Sequence, residues 1–197
     1  MRQLLEELND SLLIENAPSA TWVVCGGAAL ALRGLAVRPT RDVDVLGEWE
    51  HGGRCVEAIS AFSSKVQRAI ARVAAAHPDL RGLGARWVNL GVQRLLEFGL
   101  PSGFESRLTA LHIGPRLTVH LPGRTDLVAF KIFAACDDLG RRQAVHLADL
   151  SALDPTRAEV EHAVQWIENI PDVHMGIRAS LRRMLEELGH EDLAYYI

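Results

Sequence analysis

Leu4, Leu5, Leu8 and Leu12 fall on one stripe of an acid-rich opening segment, a spacing that predicts an amphipathic helix over about residues 2–15, stopped near Pro18. The period then changes. Thr21–Cys25 (TWVVC) reads as a short buried strand, Gly26-Gly27 as a tight turn, and Ala28–Gly34 as a short helix that Gly34 can end. After the loop LAVRPT a second strand is predicted over Asp42–Leu46, where Asp42 and Asp44 alternate with Val43 and Val45. Ile59, Phe62, Val66, Ile70 and Val73 keep a helical beat and predict a long helix over about Cys55–His77, closed by Pro78. Ala85–Asn89 (ARWVN) reads as a third strand, and RLTALHI with RLTVHL, separated by Gly114-Pro115, as a hairpin. Beyond Thr125 the pattern is helical throughout. Helices are expected over about Asp126–Asp137, Gln143–Leu153, Arg157–Ile167 and Val173–Leu188, with Thr156 and Glu159 spaced as a capping box.

This order predicts an α/β (α+β) fold, a mixed β-sheet with helices plus a helical C-terminal region. The soft boundary is Leu153-Asp154-Pro155, which divides a domain over 1–153 from a helical extension over 154–197 packed on it.

Composition narrows the classes. A chain of 197 residues with 48% hydrophobic and 23% charged residues is neither disordered nor a disulfide scaffold. A net charge of -4 argues against coating nucleic acid by bulk charge, so a polyanion partner must be held locally. Cys25, Cys55 and Cys136 are far apart and form no CxxC pair, which points to a reducing compartment without structural zinc. The first residues interleave acids with leucines, unlike a secretory signal. The uncharged run from Ala17 to Leu32 is broken by Pro18, Gly26 and Gly27 and is too short for a bilayer of ~30 Å. A cytoplasmic protein with no membrane partner is expected.

Candidate chemistry begins at Asp42 and Asp44. Alternate strand positions put both carboxylates on one face, their Cα atoms about 6.5–7 Å apart. They repel unless a cation lies between them, and hard oxygen ligands on a rigid strand suit Mg²⁺, or Mn²⁺ in its place. A solvated pair, or one bridged to Arg38 and Arg41, is the other reading. Just upstream, Gly26-Gly27 between a strand and a helix can present backbone N–H groups with no Cβ atoms in the way, an anion cradle or else a plain turn. It is neither a P-loop nor a dinucleotide fingerprint. Lysine is rare here: 19 of the 21 basic residues are arginine, and the lysines are Lys65 and Lys131. Lys131 sits in a segment apolar on nearly every side, so its ammonium needs a phosphate or an aspartate, or must snorkel to the surface.

Taken together, GGAALALRGLAVRPTRDVDVL resembles the opening motif of the DNA polymerase β-like nucleotidyltransferase superfamily, where a Gly-Gly or Gly-Ser turn precedes an Asp-x-Asp strand. DLVAFKIFAA followed by HLADLSAL is similar to the downstream motifs of the AbiEii-type toxin nucleotidyltransferases and their uncharacterised bacterial relatives. The likeness spans about residues 22–153. It implies a nucleotidyltransferase-type sheet and Mg²⁺-dependent transfer of a nucleotidyl group from a nucleoside triphosphate to a hydroxyl of RNA, protein or a small molecule. Gly26, Gly27 and Lys131 would meet the phosphates, Asp42 and Asp44 the metal, and Asp149 would be catalytic. A cognate antitoxin is the partner such toxins imply.

Arg33, Arg38, Arg41, Arg141 and Arg142 are candidates to ring the cleft, with Arg41 next to the aspartates on the phosphates. The superfamily's third carboxylate has no evident counterpart. Asn89 stands where related sequences often run on to an Asp, here Leu90, and offers a neutral oxygen; the base is Asp149, His120, or absent. Asp126 reads as an early-turn acid of the lysine helix. His146 stands one turn before Asp149, and His112 and His120 could meet across the hairpin. The rival to an enzyme is a degenerate member that binds nucleotide or a partner protein without turnover.

Overall fold

The computed structural model describes residues 1–35, 38–50, 52, 54–137, 143–171, 175–195 and 197. Arg141, Arg142 and Val173, which carry expectations above, lie outside the described residues. Two compact units form, residues 1–97 with 105–122, and residues 98–104 with 123–197.

The first unit opens with α1 (Arg2–Ile14), whose Leu5, Leu8 and Leu12 are completely buried and which packs against α3 (Ser64–Ala76). Each such leucine contributes roughly 1.5–3 kcal/mol of burial. The sheet is built from β1 (Ala20–Cys25), β2 (Val43–Glu50), β3 (Cys55–Glu57), β4 (Val88–Asn89), β5 (Thr109–Gly114) and β6 (Leu117–Leu121). Its order is β3-β2-β1-β6-β5, with β4 added to β2. β1 runs parallel to β6 and antiparallel to β2, so the sheet is mixed and the expected fold class is the one the chain adopts. The run Trp22, Val23, Val24, Cys25 is buried throughout, as a central strand covered on both faces requires. α2 (Gly26–Leu32) follows β1 without an intervening loop, and α4 (Arg94–Glu97) is a single turn.

Two elements differ from the sequence reading. The helix expected from Cys55 begins at Ser64, because the Ser63 hydroxyl caps it by accepting the Val66 N–H at 3.4 Å. Upstream, Cys55–Glu57 instead pairs with β2, Glu48 opposite Glu57 and Glu50 opposite Cys55. Phe62 kept the helical beat, but its ring packs on Trp22 at 5.2 Å between centroids. The expected third strand is mostly a 3-10 turn: Val88 and Asn89 alone join the sheet, while Trp87 is fully buried and donates its indole N–H to the Ile70 carbonyl at 2.9 Å.

The second unit is helical: α5 (Arg124–Asp137), α6 (Gln143–Leu153), α7 (Arg157–Glu168), α8 (Met175–Glu187) and a short α9 (Glu191–Ala194). The division expected at 153/154 falls within it, between α6 and α7. α5 is apolar nearly all round because α6, α7 and α8 all pack on it. Residues 98–104 belong to this unit through Phe98 on Phe133, Phe104 on Phe130, and the Trp166 indole N–H donated to the Gly99 carbonyl at 2.9 Å. Thr156 and Glu159 form the predicted capping box, and Arg124 adds a bond to Glu159 at 2.8 Å and one to the Leu153 carbonyl at 2.6 Å. Among the described residues no helix is long and apolar enough to cross a membrane.

Candidate active site

The antiparallel register of β1 and β2 sets Asp44 opposite Cys25, and therefore beside Gly26 where the chain turns into α2. Gly26 has φ +64°, and a Cβ built on it would collide with the Asp44 carboxylate. A glycine is thus required twice, for the left-handed backbone and for the approach of the carboxylate. At Gly27 a Cβ would come within 2.8 Å of the Thr40 hydroxyl oxygen. That hydroxyl donates to Asp42 Oδ1 at 3.0 Å.

β4 completes the corner. Its parallel pairing with β2 places Asn89 next to Asp44, and the amide Nδ2 donates to Asp44 Oδ1 at 3.0 Å. The Gly91 N–H donates to Asn89 Oδ1 at 2.9 Å. Since that N–H can only meet an oxygen, it fixes which end of the amide faces the aspartate. Asn89 thus meets Asp44 as a hydrogen-bond donor, with its oxygen turned to the Gly91 N–H.

Asp42 lies one residue ahead of β2 rather than in it. The alternation still holds, with Val43 and Val45 fully buried and both aspartates half-buried. Beyond Asp42 opens a cleft of about 660 Å³ that Arg38, Thr40, Arg41 and Asp79 also line. Two guanidinium groups beside two carboxylates suit a ligand carrying both phosphate and cation. Arg33 is engaged elsewhere, donating to the Leu121 carbonyl at 2.8 Å and to Thr109 at 3.2 Å.

Among the described residues no three His, Cys, Asp or Glu side chains gather into a metal-holding group. Two carboxylates, each steadied by a neutral donor, fit a hard divalent ion that keeps most of its positions for water and phosphate oxygens. They do not fit a dedicated all-protein cage.

In the second unit Lys131 and Asp149 form a buried ion pair, Nζ to Oδ2 2.6 Å, with 6% and 4% of the residues exposed. Lys131 does not snorkel, and Asp149 is not on a solvated face. Asp126 is the first-turn acid of α5, fully buried, with His162 Nε2 4.0 Å from its carboxylate. His112 and His120 do not meet across the hairpin: His112 pairs with Thr118 and His120 with Ala110. His120 is buried against the Trp49 ring, 5.4 Å between centroids.

Thr40 and Asp79 escaped the sequence reading. The Thr-x-Asp spacing upstream of a strand is a usable signal for Thr40, since a hydroxyl two residues before a carboxylate is within local hydrogen-bond reach. Nothing local marks Asp79, which joins the cleft from a distant turn.

No curated protein and no solved structure matches the chain significantly. The family described as a nucleotidyltransferase of unknown function (DUF6036) matches residues 1–173, a stretch that includes the glycine corner, both aspartates and the buried lysine pair. The chain, whose Gly-Gly turn closes directly on an Asp-x-Asp segment, belongs to this DUF6036 family of nucleotidyltransferases.

Proposed function

We propose that the protein is a Mg²⁺-dependent nucleotidyltransferase, accepting Mn²⁺ in its place, that moves a nucleoside monophosphate from a nucleoside triphosphate to a hydroxyl of RNA, protein or a small molecule. The observation that carries this reading is the corner in which Asp44 closes on Gly26 while Asp42 is held by Thr40 beside an arginine-lined cleft.

The divalent ion, when bound, neutralises charge on the two carboxylates and the triphosphate. Asp42 and Asp44 hold it, and without it their charge would repel the phosphates. Arg41 and Arg38 bind phosphate oxygens from the cleft, and the backbone at Gly26-Gly27 offers N–H groups without side chains in the way. Binding and in-line positioning supply most of the rate. The phosphate contact of Lys131 and the catalytic place of Asp149 come from the resemblance to the AbiEii-type enzymes, as does a toxin role with a cognate antitoxin; each is part of the proposal and is tested by variants and by co-purification.

The test is incubation with each radiolabelled nucleoside triphosphate and total RNA or cell protein, with and without chelator. Label that appears only with divalent metal, and is lost in Asp42→Ala, names donor and acceptor class together. Triphosphate binding that ignores metal, with no transfer, would instead favour the second reading, a degenerate nucleotide- or partner-binding protein. That reading is favoured by the neutral amide that β4 sets beside Asp44, a strand from which no carboxylate joins the corner.

A further inference from the structure

We infer that Asn89 is a positioning residue that fits the Asp42–Asp44 site to a single divalent cation. The inference rests on reading those aspartates as the metal-holding pair. The parallel register puts residue 89 on the strand next to Asp44, the place from which a third side chain reaches the same corner. The amide there points its nitrogen, not its oxygen, at Asp44, and the Gly91 N–H locks that orientation.

Ligand number then decides the stoichiometry. Among the described residues no three His, Cys, Asp or Glu side chains gather into a metal-holding group, so the corner offers two carboxylate ligands, a set for one divalent ion. A second ion would meet an amide N–H dipole turned toward Asp44, the wrong sign for a cation. An acid at position 89 would reverse both terms, adding an anionic ligand and removing the donor. The hydrogen bond also orients the Asp44 carboxylate, turning Oδ1 toward β4 and Oδ2 toward Gly26. Partners that orient a ligating carboxylate in this way are worth about 10- to 100-fold in metal affinity.

The experiment is an Mn²⁺ titration followed by electron paramagnetic resonance on wild type, Asn89→Ala, Asn89→Asp and Asp44→Ala, each checked for folding by circular dichroism melts. The expected result is one Mn²⁺ per wild-type chain and one in Asn89→Ala, bound about 10- to 100-fold more weakly, with two in Asn89→Asp and none in Asp44→Ala. Two ions per wild-type chain, or unchanged affinity in Asn89→Ala, overturns the inference while leaving the metal reading in place. A wild type that takes no Mn²⁺ at millimolar concentration overturns both. Should Asn89→Asp fail to fold, the wild-type stoichiometry and the Asn89→Ala affinity decide.

Discussion

The carboxylate of Asp44 fills the space that any side chain at position 26 would need, so Gly26 and Asp44 specify each other. The pairing of Cys25 with Asp44 across β1 and β2 sets that contact, and no loop conformation intervenes.

Gly26→Ala is accordingly expected to fail in two ways. A residue with a Cβ at φ +64° costs roughly 1–2 kcal/mol, and its methyl group displaces Asp44. Urea unfolding should report the stability loss, and the labelling assay a loss of transfer larger than instability explains. Gly27→Ala should be milder, because the obstacle there is the Thr40 hydroxyl on a short side chain.

Asp149→Ala takes from the buried Lys131 ammonium the carboxylate it meets, for an expected loss of about 3–5 kcal/mol. Replacing both, as in Lys131→Met with Asp149→Leu, should recover most of it. If the recovered double variant still fails to transfer nucleotide, the pair does more than hold α5 to α6.

Burial pushes the Glu159 carboxyl up, but the Thr156 backbone N–H and the Arg124 guanidinium outweigh it and hold the group below its ordinary 4.5. A carboxylate depressed on folding stabilises the native state above its unfolded value and loses that contribution as pH falls through the folded one. Stability measured by urea unfolding should therefore drop more steeply below pH 4.5 in wild type than in Glu159→Gln.

The three thiols should differ sharply in reactivity. Burial, with Asp137 adjacent, pushes the Cys136 thiol up to about 12, and Cys25 is also buried, whereas Cys55 is half-exposed on β3. Alkylation under native conditions, read by peptide mass spectrometry, should mark Cys55 first and leave Cys136 unmodified until the protein unfolds.

The sequence reading held where the signal was local. TWVVC, the Gly-Gly turn and the hairpin around Gly114-Pro115 announce themselves by run length and punctuation, and the capping box at Thr156 by spacing. It went astray where pairing overrode period: Ile59 and Phe62 extended the helical beat of α3, yet Ser63 could cap the helix and Cys55–Glu57 found a strand partner. The corner was legible as residue types but not as contacts. Nothing in ARWVN tells that two residues pair with β2, or that Asn89 turns its nitrogen toward Asp44, because both follow from a register between distant segments. Likewise the partner of Lys131 was open between a phosphate and an aspartate until α5 and α6 were seen together.

Asn89 reaches Asp44 from a strand two residues long, and what moors that strand is Trp87, sunk in the interior and tied to the backbone of α3. The chemistry of the corner is thereby hitched to the oil behind it. Trimming the indole to a smaller ring is expected to leave the chain folded yet swing the amide off its aspartate, so that the corner is disturbed by a residue that stands outside it.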